Sequence, residues 1–260
     1  MKTIIATFIL SLFLLIDFAQ INGQLSKPKK LSSPGMAVKG QNLKLLKYDF
    51  SKLFTFTDNA YVYGFIGNDF QRIRIKIISI KKDAVRADVY RVYGKSMVKN
   101  NIDEFRGFIM ITTISEVKPM HYGVDDELKN KGIKGEYVIS GKYKFEEDSN
   151  QLHSGVFKGS FHSKFYLDKN SDVHYYDIDS YSDGYANNQF VGTWANHDKK
   201  LSKPCNWGDY RIPNSGSFDG GAGEFSPIGG SGWETVRLQS SYDIKIADAA
   251  KKAESAQWWL

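Results

Sequence analysis

The sequence predicts a mainly β protein, an antiparallel barrel or strongly curved sheet of about eight to ten strands with a C-terminal helix. Three observations predict it. First, four stretches repeat one pattern of bulky apolar residue, any residue, Gly, any residue, bulky apolar residue. They are Phe105-Arg106-Gly107-Phe108-Ile109, Ile139-Ser140-Gly141-Lys142-Tyr143, Phe157-Lys158-Gly159-Ser160-Phe161 and Phe190-Val191-Gly192-Thr193-Trp194. Positions two apart share a strand face. Each Gly therefore sits between two large neighbours, as in bent strands whose bare backbone is covered by flanking side chains. Second, Tyr137, Ile139, Gly141, Tyr143 and Phe145 alternate with polar residues, as do Phe157, Gly159, Phe161, Ser163, Phe165 and Leu167. Third, Asp243 stands where it can cap a helix.

The elements follow in chain order. Residues 1–23 read as an export signal: Lys2, then an apolar run from Ile4 to Ile16, then a short polar exit to Gly23. The run is too short to span a bilayer as a helix. Residues 24–43, with Lys27-Pro28-Lys29-Lys30 and Ser32-Ser33-Pro34-Gly35, read as a flexible leader. Residues 44–260 read as a single β-rich domain with a C-terminal helix. Strand patterns run from about Tyr48 to Trp194. In Arg72–Ile80 the apolar parity switches after Ile77, which predicts a bulge near Ile77–Ile78. A hairpin centred on Asn150 predicts Gly141 opposite Gly159 and Tyr143 opposite Phe157. Residues 197–230 are rich in Gly, Ser, Pro and Asn and read as a long irregular segment covering an opening or carrying function. A strand is expected over Trp233–Leu238. A helix then runs from Asp243 to about Trp259, with Ile246, Ala249, Ala250, Ala253 and Leu260 as its apolar stripe, on the outside of the sheet or plugging one end.

Motifs for chemistry are sparse. The chain has one Cys, Cys205, so an intramolecular disulfide is impossible, and it has no Asn-x-Ser/Thr acceptor. Both features lean towards a bacterial envelope or secreted protein. The net charge of +6 is modest and spread along the chain, which gives no reason to expect nucleic acid as a partner. The five His form no zinc-type spacing. The stretch Asp168–Asp183 has alternate acids reminiscent of calcium loops, but it lacks their Gly and closing Glu and reads better as turns. No nucleophile elbow or phosphate loop is present. Catalytic residues cannot be assigned, and no cofactor or metal is expected. Asp209 and Glu224 give only a weak carboxylate pair for a glycosidase. Trp194, Trp207, Tyr210 and Trp233 cluster in the C-terminal third and are the candidate ligand-binding residues, at a barrel mouth. The competing reading is that they pack the loop onto the barrel end.

Two resemblances bear on this. Phe190-Val191-Gly192-Thr193-Trp194 resembles the Gly-x-Trp element of lipocalin-like β-barrels, which implies a barrel shape. The segments Tyr63 to Gly67, Tyr93 to Ser96, Asn187 to Trp194 and Cys205 to Pro213 resemble uncharacterised exported proteins of Bacteroides-type bacteria, which implies a periplasmic or secreted location. The expectation is an exported, non-enzymatic binding or structural protein of the bacterial envelope, with a glycan, a lipid or an envelope protein as partner. The alternatives are a hydrolase acting on envelope or host polysaccharide and an outer-membrane barrel.

Overall fold

The computed structural model describes residues 37–39 and 42–260. The expected export signal, 1–23, and most of the expected leader lie outside the described residues. The protein is mainly β, as its alternating sequence predicts. Its strands are β1 (Ala37–Lys39), β2 (Val62–Ile66), β3 (Gln71–Lys82), β4 (Val89–Val98), β5 (Asn101–Lys118), β6 (Ile133–Glu147), β7 (Gly155–Asp168), β8 (Val173–Tyr175), β9 (Asn187–Asn196) and β10 (Ser202–Asp209). Each pairing is antiparallel. β2, β3, β4, β5, β6, β7, β9 and β10 form a closed ring, sealed where β10 meets β2 and where β5 meets β6. β1 and β8 pair onto β5 and β7 outside that ring.

The bulge falls where the parity switch placed it: Ile77 pairs with Gly94 but Ser79 pairs with Tyr93, which leaves Ile78 unmatched. The β6–β7 register differs from expectation by two residues. Gly141 lies opposite Phe161, Tyr143 opposite Gly159 and Phe145 opposite Phe157. The reason is steric. In this register each Gly faces an aromatic ring. A Cβ on Gly141 would stand 2.7 Å from Phe161 Cε1, and one on Gly159 2.9 Å from Tyr143 Cε1. Gly159 in turn pairs with Gly192 across β7 and β9.

The interior is filled. Trp207 stacks on Phe190 with centroids 4.7 Å apart, and Tyr143 meets Trp207 edge-on at 5.1 Å. Cys205, fully buried on β10, belongs to the same core. One end of the ring is plugged by the chain before β2. There the strand pattern read from Tyr48 onward gives way to short 3-10 turns at Leu43–Lys47, Ser51–Thr55 and Asn59–Tyr61. Their apolar residues point into the barrel rather than along a sheet: Phe50 packs on Phe165 at 5.0 Å and Phe54 on Phe161 at 5.6 Å. Backbone groups there are satisfied by barrel side chains. Lys82 Nζ donates to the carbonyls of Leu46 and Tyr48, and Phe50 N–H donates to Tyr90 Oη.

The segment 197–230 is not wholly irregular, because it contains β10. That strand escapes pattern reading because its inward face is Lys203, Cys205, Trp207 and Asp209, apolar only in the middle, with Pro204 between. The remainder covers an outer face of the barrel rather than an opening. Phe218 stacks on Phe70 at 4.5 Å and Phe225 on Tyr63 at 4.7 Å. The expected strand at Trp233–Leu238 is instead a helix, α1 (Glu234–Leu238), which buries Val236 in this outer cluster. The final helix, α2 (Ile244–Glu254), is capped by Asp243 Oδ1, which accepts from Lys245 N–H and Ile246 N–H. It stops short of Trp259. It packs on α1 with Ala247, Ala250 and Glu254 buried, and of the expected stripe only Ala250 is buried, Ile246, Ala249, Ala253 and Leu260 being exposed. The anchor is polar: Arg72 and Arg74 of β3 pair with the buried Glu254 carboxylate, and Arg72 lies over the Trp233 ring.

Candidate functional site

The end of the barrel opposite the plug is bordered by the short turns β2–β3, β4–β5, β6–β7 and β9–β10. A cavity of about 430 Å³ opens there. Its floor is built from the last inward positions of several strands. On β6 the inward parity of Tyr143 and Phe145 continues to Glu147, and on β5 Asp103 precedes the inward Phe105 by two. Phe105 pairs with Glu147, and Ser96 of β4 pairs with Asp103. The pairing therefore brings Ser96, Asp103 and Glu147 together, with Phe157 and Trp194 as aromatic walls.

The two carboxylates differ. Glu147 is 4% exposed and fully engaged. Oε1 accepts from Ser96 Oγ, and Oε2 accepts from Gly155 N–H at 2.8 Å and from Trp194 Nε1–H at 2.9 Å. Burial pushes its carboxyl up from the usual Glu range. The three donors oppose this and the nearby Asp103 charge adds to it. Asp103 is 5% exposed and accepts one side-chain hydrogen bond, from Asn101 Nδ2 on Oδ2. Burial raises its carboxyl as well, against the Asn101 bond and the His153 charge. The exposed rim carries Asp69, Lys99, His153 and Lys203.

A second polar centre lies at the plugged end. Asp209 is 4% exposed, and one oxygen, Oδ2, accepts from Thr57 Oγ1 at 2.7 Å, Tyr175 Oη at 2.8 Å and Asn188 Nδ2 at 2.7 Å. Burial pushes its carboxyl up to about 7, with all three donors pulling the other way. It borders a cavity of about 30 Å³, room for a water molecule but not for an organic ligand. This centre ties the plug to the barrel and is architectural.

The four aromatic candidates do not converge. Trp194 borders the open cavity. Trp207 lies in the filled core, stacked on Phe190. Tyr210 stacks on Tyr61 at the plugged end. Trp233 is fully buried in the outer cluster, its Nε1–H donating to the Phe70 carbonyl. Of the weak carboxylate pair, Asp209 is buried and Glu224 exposed. Asp168 forms the turn into β8, its Oδ1 accepting from Asn170 N–H and Asp172 N–H. Burial pushes the Cys205 thiol up, so it is held as an un-ionised core side chain. Among the described residues no group of three or more His, Cys, Asp or Glu is placed to hold a metal ion. No helix there is long and apolar enough to cross a membrane.

Sequence reading missed Ser96, Asp103 and Glu147. Their trace in the sequence is parity: each extends an inward-facing, apolar-rich row by one step past its last large residue. Comparison with known proteins yields no match to a family model, a curated protein or a solved structure.

Proposed function

We propose that the protein is an exported, non-enzymatic binding protein that takes a ligand into the open mouth of its barrel. The observation that carries this reading is the cavity of about 430 Å³ above a filled interior, floored by Asp103, Glu147 and Trp194. Its volume falls within the roughly 300–1,000 Å³ of small-ligand sites, and it combines apolar walls with a few fixed polar groups. The apolar run Ile4 to Ile16 after Lys2 supports export, and the resemblance to exported bacterial proteins supports an envelope location. Lys142, Lys144 and Lys158 face outward and are exposed on β6 and β7, which counts against a lipid-facing band there.

A hydrolase acting on polysaccharide is the second reading, because two carboxylates do border one aromatic-walled cavity. Glu147 argues against it. It is buried, and both its oxygens are held by hydrogen bonds from Ser96, Gly155 and Trp194 that an attacking or proton-donating carboxyl would have to give up. The test is a calorimetric and tryptophan-fluorescence screen of glycans, lipids and small amphiphiles against the native protein and Val98→Trp, which fills the mouth. Saturable binding lost in Val98→Trp is the expected result. A screen silent at about millimolar ligand, near the weak limit of useful affinity, overturns the reading. Release of reducing sugar from a polysaccharide would favour the hydrolase.

A further inference from the structure

The charge at the mouth is unbalanced. Asp103 and Glu147 are each at most 5% exposed, and neither forms an ion pair among the described residues. Buried carboxylates are normally paired, because an uncompensated charge in a poorly solvated site is strongly unfavourable. Glu147 is held by three donors, and all three are neutral groups that bring no compensating positive charge. Asp103 has one side-chain donor, on Oδ2, and it borders the open cavity. The basic side chains at the cavity are Lys99, His153 and Lys203; all three are exposed at the rim, where water and salt screen them, and His153 acts on Asp103 only through its charge, without an ion pair.

We propose that the mouth binds an organic cation, a protonated primary amine on an apolar body, with Asp103 as its direct partner. The assignment rests on the mouth being a binding site. The ammonium meets Asp103 in a charge-assisted hydrogen bond, and the fixed Glu147 carboxylate supplies the second negative charge. Ile66, Ile73 and Val98 line the path above it, and Phe157 and Trp194 offer ring faces that suit both a hydrocarbon body and a cation. Trp194 cannot swing away, because its Nε1–H is committed to Glu147 Oε2. A metal ion is the poorer fit. Calcium and magnesium take six or more oxygen ligands, and this floor offers two carboxylates, one of them already accepting three hydrogen bonds. The raised carboxyl groups agree with a site whose charges await a partner, since an arriving cation favours their ionised forms.

The test compares three isosteres by isothermal calorimetry and Trp fluorescence on the full chain without its export segment: 2-phenylethylamine, 2-phenylethanol and phenylacetate. The ammonium is expected to bind about tenfold or more tightly than the alcohol, as a hydrogen bond to a charged group requires. Phenylacetate is expected to bind weakest. Asp103→Asn should remove the preference for the ammonium while leaving the alcohol unchanged. If that variant fails to fold, an NMR titration of the native protein decides: the Trp194 indole N–H and the Gly155 amide must shift with the amine. Equal binding of amine and alcohol overturns the cation assignment and leaves the mouth as a binding site. No binding of any of the three, together with a silent wider screen, overturns both.

Discussion

The ring of Tyr143 on β6 lies across the bare backbone of Gly159 on β7. A Cβ at Gly159 would stand 2.9 Å from Tyr143 Cε1 and 2.1 Å from the Val191 carbonyl oxygen. The same arrangement recurs where Phe161 covers Gly141 and Phe105 covers Gly94. Large rings fill the barrel because glycine on the facing strand leaves them room. The glycine strands bend tightly enough to close because the rings cover their exposed peptide groups.

Gly141→Ala tests this directly. The new methyl would meet the Met110 carbonyl oxygen at 2.0 Å and Phe161 at 2.7 Å, and the carbonyl belongs to backbone that cannot swing aside. A loss of about 3 kcal/mol or more is expected from chemical denaturation, at the upper end for overpacked cores. Gly184→Ala, with nothing within 4 Å of the new methyl, isolates the backbone part of such a change: its positive φ alone should cost about 1–2 kcal/mol, less than Gly141→Ala.

Tyr143→Phe is expected to behave oppositely. The Tyr143 hydroxyl is buried without a hydrogen-bond partner. Removing it deletes an unsatisfied polar group and keeps the ring. Stability should be unchanged or raised by about 1 kcal/mol. A clear loss in a thermal melt would mean that the hydroxyl has a partner such as a bound water.

Asp209 predicts a pH dependence. Its carboxyl lies at about 7 in the folded chain against an ordinary value of 3.8. Between those values the folded state holds a proton that the unfolded state has released. Stability is therefore greatest below about pH 4 for this group and falls as pH rises towards 7. The difference of about three pH units corresponds to on the order of 4 kcal/mol. Asp103 and Glu147 shift in the same direction and add to the trend. Asp209→Asn should flatten the profile of denaturation midpoint against pH.

Glu254 predicts the opposite slope. Burial pushes its carboxyl up, but the hydrogen bonds from Arg72 and Thr235 and the charges of Arg72 and Arg74 outweigh this and hold it below the usual range. Its contribution is present above the ordinary Glu value and is lost as pH falls through the depressed one. Glu254→Ala leaves two arginines facing a vacancy and should cost about 3–5 kcal/mol. Limited proteolysis should then cut between α1 and α2 before the barrel is touched.

The barrel was legible because alternation survives wherever the inward face is aromatic, as in β6, β7 and the middle of β9. It was lost wherever that face carries polar residues. Lys203 and Asp209 at the two ends of β10 hid a complete strand, and Glu147 lies one inward step past Phe145, where the apolar row read on β6 ends. The plug was misread for a related reason: a short 3-10 run that inserts Phe50, Leu53 and Phe54 into a cavity has the composition of a strand but no partner strand. The mouth could not be assembled from sequence because Ser96, Asp103 and Glu147 meet only through the β4–β5–β6 register.

The seam between β2 and β10 joins residues 62–66 to 205–209. Until the last strand has been made, β2 and β9 are two unpaired edges, and Thr57 and Asn188 lack the carboxylate that joins them. A nascent chain therefore cannot shut the ring early. Its closure is a late, long-range event of the kind that slows folding and exposes edges to neighbouring chains. A chain cut after β9 should accumulate as an aggregate rather than as a smaller barrel.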